Sequence, residues 1–567
     1  MSIIKKKLTD HVTYEFDTLY DGVVKQAQRY GNKPRYYYTE NKKEKVFTFS
    51  DMLDHVNWVS SALNELGLVG KFVTVTGETH PDYVASYLGV VCSGGVIIPL
   101  DKDITSEQFA GFNKMCDVEC IIYSAILDKK IAETCSEMPL VKKFIRIGGK
   151  PEDLPEDERF MSFDSFLEIG KKAYEAGDRT AENHVVDKEK MCAIIFTSGT
   201  TGTSKGVMLC ERNLVNATLN GCRRIGCVES DFFVSVLPIH HTYEFTCAQL
   251  ALPNTGASSA INDSIRNTLH NFAKYKPTGL VLVPLYVETM HKKIWAEIEK
   301  KGKTKLIRSI MPVAKKLPSA VRRKIFAEII NAFGGRLSYI VCGGAPLRSE
   351  LIDDFDTFGI KILEGYGITE CSPLISANSM LWRKRRSVGP AIPGMDVRID
   401  KANPDDETGE IVVKGPSVML GYYKNPEATA DVLSEDGWFK TGDIGYTDED
   451  GFIYITGRKK NVIILSNGKN VFPEELEEYL SDSELVSEVV VIGRKRDDGE
   501  TVITALIYPN SDAFEGKSKE EIQDALAEFV DSVNKKLPIF KHISAIEVRE
   551  TEFEKNTSRK IMRYKIK

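Results

Sequence analysis

The sequence predicts an α/β protein: a large N-terminal layered α/β domain followed by a small C-terminal α+β domain. Three observations carry this expectation. Apolar, β-rich runs alternate with helical patterns through most of the chain; 567 residues are several times the length that one core needs; and the texture changes near residue 400 to short strands and amphipathic helices.

The elements follow in chain order. The runs FVTVTG, GGVIIPL, CIIYS, FIRIGG, CAIIFTSG, FFVSVLP, GLVLVP, LSYIVCGG and IKILEGYG are apolar on both alternating faces, as buried and largely parallel strands are. Ahead of the first of them, SDMLDHVNWVSSALNELG returns an apolar residue every three or four positions, with Gly67 as a stop signal. Later, TGEIVVKG and GFIYITG read as short strands, and VSEVVVIGRKRDDGETVITALIYP reads as a hairpin turning at Asp498-Gly499. A helix beginning near Pro473 in FPEELEEYL and another in KEEIQDALAEFVDSVNKKL complete the smaller unit. The chain is therefore divided at 1–459 and 460–567.

Composition narrows the class. Apolar residues make up 42% of the chain and charged residues 28%, and a formal net charge of -6 offers no electrostatic reason to expect nucleic acid. The start, MSIIKKKLTDHVTYEF, lacks the apolar core of a signal peptide and no later run is apolar for long enough to span a bilayer, so a cytoplasmic protein is expected. Peripheral contact with a membrane stays open. The 11 cysteines are odd in number, form no CxxC pair and all precede position 372, which predicts buried reduced thiols. Cys116 and Cys120 are spaced to share a helix face, although no histidine or second pair stands nearby to complete a metal site.

The stretch IIFTSGTTGTSKGVML, residues 194–209, places serines, threonines and glycines between two apolar runs. It fails the Walker pattern, since Lys205 is preceded by Ser204 and followed by Gly206. Gly199, Gly202 and Gly206 nevertheless allow successive backbone N–H groups to face one anion. Thr197, Ser198, Thr200, Thr201 and Thr203 add hydroxyl donors, and Lys205 adds a balancing point charge.

TSGTTGTSKGV resembles the signature loop of the adenylate-forming superfamily, with Ser204 where that family usually has proline. The family's other motifs follow in order: LPIHHTYE, VCGGAPL, EGYGITE, GEIVVKG, WFKTGDIG, GRKKNVIILSNGKNVFPEELE and NTSRKIMR. The resemblance implies ATP- and Mg²⁺-dependent activation of a carboxylate to an acyl adenylate, followed by transfer to a thiol. It assigns Thr197 to Gly202 and Lys205 to the β- and γ-phosphates, and Glu370 to Mg²⁺, an ion that commonly takes one or two carboxylates plus phosphates. Thr369 is expected at the α-phosphate, and Tyr366 with Gly367 on one adenine face, opposite the backbone of Gly343, Gly344, Ala345 and Pro346. Asp443 is expected to accept from the ribose hydroxyls with Arg458 as a basic partner. Lys460 matches the hinge of a mobile C-terminal domain, and Lys560 matches the adenylation lysine, here preceded by Arg559 where the family usually has glycine.

LPIHHTYE and the RKKN run resemble the long-chain fatty acyl-CoA synthetase branch, with His241 at the family histidine and Glu244 at a position where that branch often carries glutamate. The leading expectation is thus a fatty acid joined to CoA. An acyl carrier protein as acceptor, another acid, and a degenerate nucleotide-binding scaffold are the alternatives. His241 is expected to gate or wall the acyl pocket or simply to pack. The run Arg383 to Arg386 is open to CoA phosphates, a carrier protein, anionic lipid or solvent.

Overall fold

Eight strands form the largest sheet of the computed structural model, which describes residues 15–197, 204–465, 469–496, 501–555 and 561–566. Across this sheet the order is 421–422, 205–210, 191–197, 96–100, 72–76, 120–124, 143–147, 160–162. From 191–197 onward every neighbouring pair is parallel. Strands 205–210 and 421–422 are added antiparallel at one edge. Burial on both faces explains the sequence pattern: all five residues of Val96–Leu100 are buried, as are the last four of Phe72–Thr76.

By contact the described chain falls into two compact units, one from the chain up to Thr197, Lys205–Asp396 and Lys414–Gly437, the other from Val397–Val413 and Trp438 onward. The first holds two further four-stranded sheets, ordered 232–235, 258–261, 34–40, 43–48 and 279–282, 339–342, 361–367, 374–377. The second takes in stretches that precede residue 460, because strands 409–414, 439–447 and 453–458 form one antiparallel sheet with 396–400. Its other main sheet, 486–495, 501–509 and 545–548, is covered by helices Pro473–Ser481 and Lys519–Asn534 over a core including Leu476, Val491, Ile507, Leu526 and Val530. The expected hairpin forms, pairing Lys495 with Thr501, while its Asp498-Gly499 turn lies outside the described residues.

The expected helix after Thr48 spans Phe49–Glu65, with a capping box between Thr48 and Asp51, and Gly67 follows at φ +65°. Cys116 does not share a helix face with Cys120: it follows helix Ser106–Met115, whereas Cys120 opens strand Cys120–Ser124, because Asp117 at φ +52° turns the chain between them. Nine of the eleven cysteines are buried, and all are free thiols. No helix among the described residues is long and apolar enough to cross a membrane.

Helix Phe163–Glu175 lies against helix Phe49–Glu65 at a spacing that only glycine permits. A Cβ at Gly170 would stand 1.8 Å from the Trp58 carbonyl oxygen. Gly170→Ala is therefore expected to destabilise the protein by about 1–3 kcal/mol, measured by denaturant unfolding, although alanine is the better helix former on a free surface.

Candidate functional site

In the first unit the site is built where strands end. Strands Tyr339–Cys342 and Lys361–Gly367 run parallel, pairing Cys342 with Glu364, so Gly343 and Tyr366 leave the same C-terminal edge of one sheet. Gly343 is buried while Gly344, Ala345 and Pro346 are exposed, and Gly344 takes φ +88°. Tyr366 is buried. Gly367 is required by a close approach, since a Cβ there would sit 2.2 Å from the Pro373 carbonyl oxygen. Thr369 and Glu370 follow in a single 3₁₀ turn, Thr369–Cys371.

Two expected motifs are joined by a residue that the sequence motifs do not include. The Tyr422 phenol donates to Glu370 Oε1 at 2.8 Å, and Lys205 Nζ lies 4.5 Å from the centre of the Tyr422 ring. Backbone bonds tighten the junction: Met419 N–H to the Glu370 carbonyl (2.8 Å), Leu420 N–H to Met208 (3.0 Å) and Tyr423 N–H to Gly206 (2.8 Å). Burial and the Glu370 charge push the Tyr422 hydroxyl far above its ordinary range, so it remains a donor. Its only trace in the sequence is the tyrosine pair in LGYYKNPE, a stretch otherwise polar and turn-forming.

The hairpin that carries the anion-binding loop pairs Thr197 with Lys205, so Lys205 is the first residue of the returning strand. Gly206, expected in the loop, is a strand residue opposite Phe196; a Cβ there would lie 2.9 Å from Ile194 Cγ2. Packing against Ile194 also demands a glycine here. Ser198, Gly199, Thr200, Thr201, Gly202 and Thr203 lie outside the described residues.

His241 stands before a short helix, Thr242–Glu244, that continues into a π-helical stretch, Phe245–Leu250. Its ring centre lies 4.1 Å from that of His240, whose pKa burial lowers. The Tyr243 hydroxyl donates to the carbonyls of Leu282 (3.3 Å) and Val341 (3.2 Å) and approaches Gly343, which brings the His241 turn beside the Gly343–Pro346 backbone. Glu244, which the sequence reading used only as a mark of kinship, is fully buried. Its Oε1 accepts from Ser235 Oγ at 2.5 Å and from Gln249 Nε2 at 2.7 Å, while Gln249 Oε1 accepts from the Tyr36 hydroxyl at 2.9 Å. This network fastens the His241 turn to strands 232–235 and 34–40.

In the second unit, adjacent antiparallel strands place Asp443 opposite Arg458, and Arg458 Nε meets Asp443 Oδ1 at 2.7 Å. Asp443 is 2% exposed and its amide donates to Thr441 Oγ1. Glu410, also missed from sequence, accepts from the Gly442 amide at 3.2 Å and from Lys459 Nζ at 2.6 Å. Lys460 follows at once; partial burial, then the Arg458 and Arg563 guanidiniums, bring its ammonium down to about 8. Lys560 lies outside the described residues. The Arg383 to Arg386 run belongs to the first unit, where Arg383 pairs with Asp356 and Arg385 with Asp353.

A parallel-sheet edge bearing a glycine-rich backbone wall, a buried tyrosine and a fixed carboxylate defines a nucleotide-dependent enzyme site. Comparison with known proteins agrees. The family described as AMP-binding enzyme matches residues 23–423, and the AMP-binding enzyme C-terminal domain matches residues 460–567. The chain is 28% identical over 507 residues to the long-chain-fatty-acid–CoA ligase FadD15 of Mycobacterium bovis, covering 85% of this chain and 80% of that one. It is 25% identical over 578 residues to the chloroplastic long-chain-fatty-acid–[acyl-carrier-protein] ligase AEE15 of Arabidopsis thaliana, covering 89% and 78%. The crystal structure of the anthranilate CoA ligase AuaEII in complex with anthranoyl-AMP shares the fold, at a TM-score of 0.78 and 20% identity over 99% of this chain and 98% of that one. The chain belongs to the AMP-binding, adenylate-forming enzymes. It is an AMP-forming acid–thiol ligase that binds ATP, adenylates a carboxylate and ligates it to CoA or an acyl carrier protein.

Burial pushes the Glu244 carboxyl up to about 7 from an ordinary 4.5. The unfolded chain loses that proton above pH ~4.5 whereas the folded protein keeps it until about 7, so this group's stability contribution is full at low pH and falls away across that window. Glu244→Gln removes the dependence. The difference in unfolding free energy between pH 5 and pH 8 should shrink by about 2–3 kcal/mol relative to wild type, measured by urea titration at both values.

Proposed function

We propose that this chain activates a long-chain fatty acid to its acyl adenylate and transfers the acyl group to CoA. The observation that carries the reading is the Tyr422 junction, which holds the Glu370 carboxylate beside the strand that begins with Lys205. In the first half-reaction a carboxylate oxygen of the acid bonds to the α-phosphorus of ATP and the bond to the β-phosphate oxygen breaks, releasing pyrophosphate. In the second, the CoA thiolate attacks the acyl carbonyl and AMP departs with the electron pair.

The chain's own residues divide this work. Thr197 to Gly202 and Lys205 cradle the β- and γ-phosphates, Thr369 donates to the α-phosphate, and Tyr366 with Gly367 faces the adenine opposite Gly343 to Pro346. Asp443, already ordered by Arg458, accepts from the ribose hydroxyls. Glu370 suits Mg²⁺, being a hard oxygen donor oriented by Tyr422; the described residues hold no cluster of three or more His, Cys, Asp or Glu side chains for a fully protein-bound ion. Bound there, Mg²⁺ supplies charge neutralisation on phosphate oxygens. Lys560 bridges carboxylate and α-phosphate, and Lys460 is the hinge about which the small domain moves between the half-reactions. His241 walls the acyl pocket next to the adenine wall, a position supported by the Tyr243 contacts.

The fatty acid reading draws on the LPIHHTYE and RKKN motifs and on relatives such as FadD15; the carrier-protein alternative draws on AEE15. An acid panel varied in length and aromaticity, assayed with ATP and either CoA or holo carrier protein and read by mass, decides between them. Long-chain acyl-CoA is the expected product. Thioester on carrier protein alone, aromatic acids alone, or no adenylate from any acid would refute the proposal. Lys560→Ala should slow acid-dependent pyrophosphate release about a hundredfold while thioester formation from supplied acyl-AMP is much less affected.

Tyr422→Phe deletes one hydrogen bond to Glu370 while keeping the ring beneath Lys205. Acid-dependent pyrophosphate release is expected to slow about tenfold, with partial recovery as Mg²⁺ is raised. An unchanged rate would remove Tyr422 from the site.

A further inference from the structure

Residues 291–326 carry twelve lysines and arginines against two glutamates, in a chain whose net charge is -6. They form the end of helix Pro284–Lys300 and the helices Thr304–Ala314 and Ser319–Ile325. Helix Thr304–Ala314 turns Ile307, Ile310, Met311 and Ala314 onto the core beneath strands 279–282 and 339–342. Leu306 and Val313, seven residues apart and so on one side of the helix, are left 55% and 64% exposed. On the next helix Val321 and Ile325, four apart, are both 41% exposed. Lys305, Lys316 and Lys324, all exposed, lie within three residues of these aliphatic positions.

The arginine run at Arg383 to Arg386 is tied to the same face. Arg385 and Lys315 share Asp353, at 2.6 Å and 2.9 Å, and Arg383 and Arg322 share Asp356. The two aspartates thus fasten basic segments to one another, and the combined surface keeps a large positive excess over an otherwise acidic chain.

We propose that this face docks on an anionic lipid bilayer. Exposed aliphatic side chains beside long cations match the boundary between headgroups and acyl chains, where Leu306, Val313, Val321 and Ile325 lose contact with water. The lysines and arginines meet lipid phosphates, a charge complement that zwitterionic lipid does not offer. The proposal does not depend on which acid or acceptor the enzyme uses, and its readout involves no turnover.

The test is co-sedimentation of the full chain with phosphatidylcholine vesicles, with and without phosphatidylglycerol as about a third of the lipid. Binding is expected only with the anionic lipid and should weaken steeply with added salt. Lys305→Glu with Lys316→Glu and Lys324→Glu should lower the affinity about a hundredfold, and Leu306→Ser with Val313→Ser about tenfold. Both variants should keep wild-type thermal unfolding. The proposal is overturned by equal binding to both vesicle types, by wild-type vesicle binding in the variants, or by charge variants that lose affinity for an acidic carrier protein while still binding vesicles.

Discussion

The hydrogen bond from the Tyr422 phenol to Glu370 is the interaction on which the first unit's site depends. Glu370 sits on a 3₁₀ turn of three residues, too short to hold a carboxylate in place through its own backbone. Strand 421–422 supplies what the turn lacks. It pairs with strand 205–210, placing Gly421 opposite Met208 and Tyr422 opposite Val207, and so brings the phenol to the carboxylate and its ring to the Lys205 ammonium. A neutral donor between an anion and a cation holds both without cancelling either charge. Burial and Glu370 itself keep the phenol protonated, so it remains a donor in the physiological range.

The second unit solves a related problem differently. Asp443 is nearly inaccessible, and an ionised carboxylate so placed needs a partner. Cross-strand register supplies Arg458 directly opposite, while Glu410 holds the neighbouring Gly442 amide and Lys459. Partial burial, and then the Arg458 and Arg563 guanidiniums, depress the Lys460 ammonium.

Glu244 and the helices of residues 291–326 show two opposite uses of charge in one unit. Burial pushes the Glu244 carboxyl up to about 7, and the group serves as a hydrogen-bond hub for the His241 turn. The lysines and arginines outside form the basic face proposed to meet a bilayer.

Much of this was legible in the residues. Continuous apolar runs such as VIIPL and CIIYS announce buried parallel strands because both faces of such strands are covered, and Pro473 and Gly67 mark helix ends through backbone geometry alone. The ordered motifs likewise named Glu370, Asp443 and Tyr366, since each carries its chemistry in its own side chain. Tyr422, Glu410 and the hub role of Glu244 were not legible: Tyr422 and Glu410 act through partners 32 to 52 residues away, Glu244 through Gln249 reaches Tyr36 on a distant strand, and separation in sequence carries no record of distance in space. The packing demand on Gly206 was hidden for the same reason, because Ile194 meets it only across the hairpin. Sequence alone determined the fold class and the family, because these follow from local pattern and residue chemistry. Tertiary structure decided which neighbours orient the motif side chains and which helices leave aliphatic side chains uncovered, because pairing and burial exist only once the chain has closed on itself.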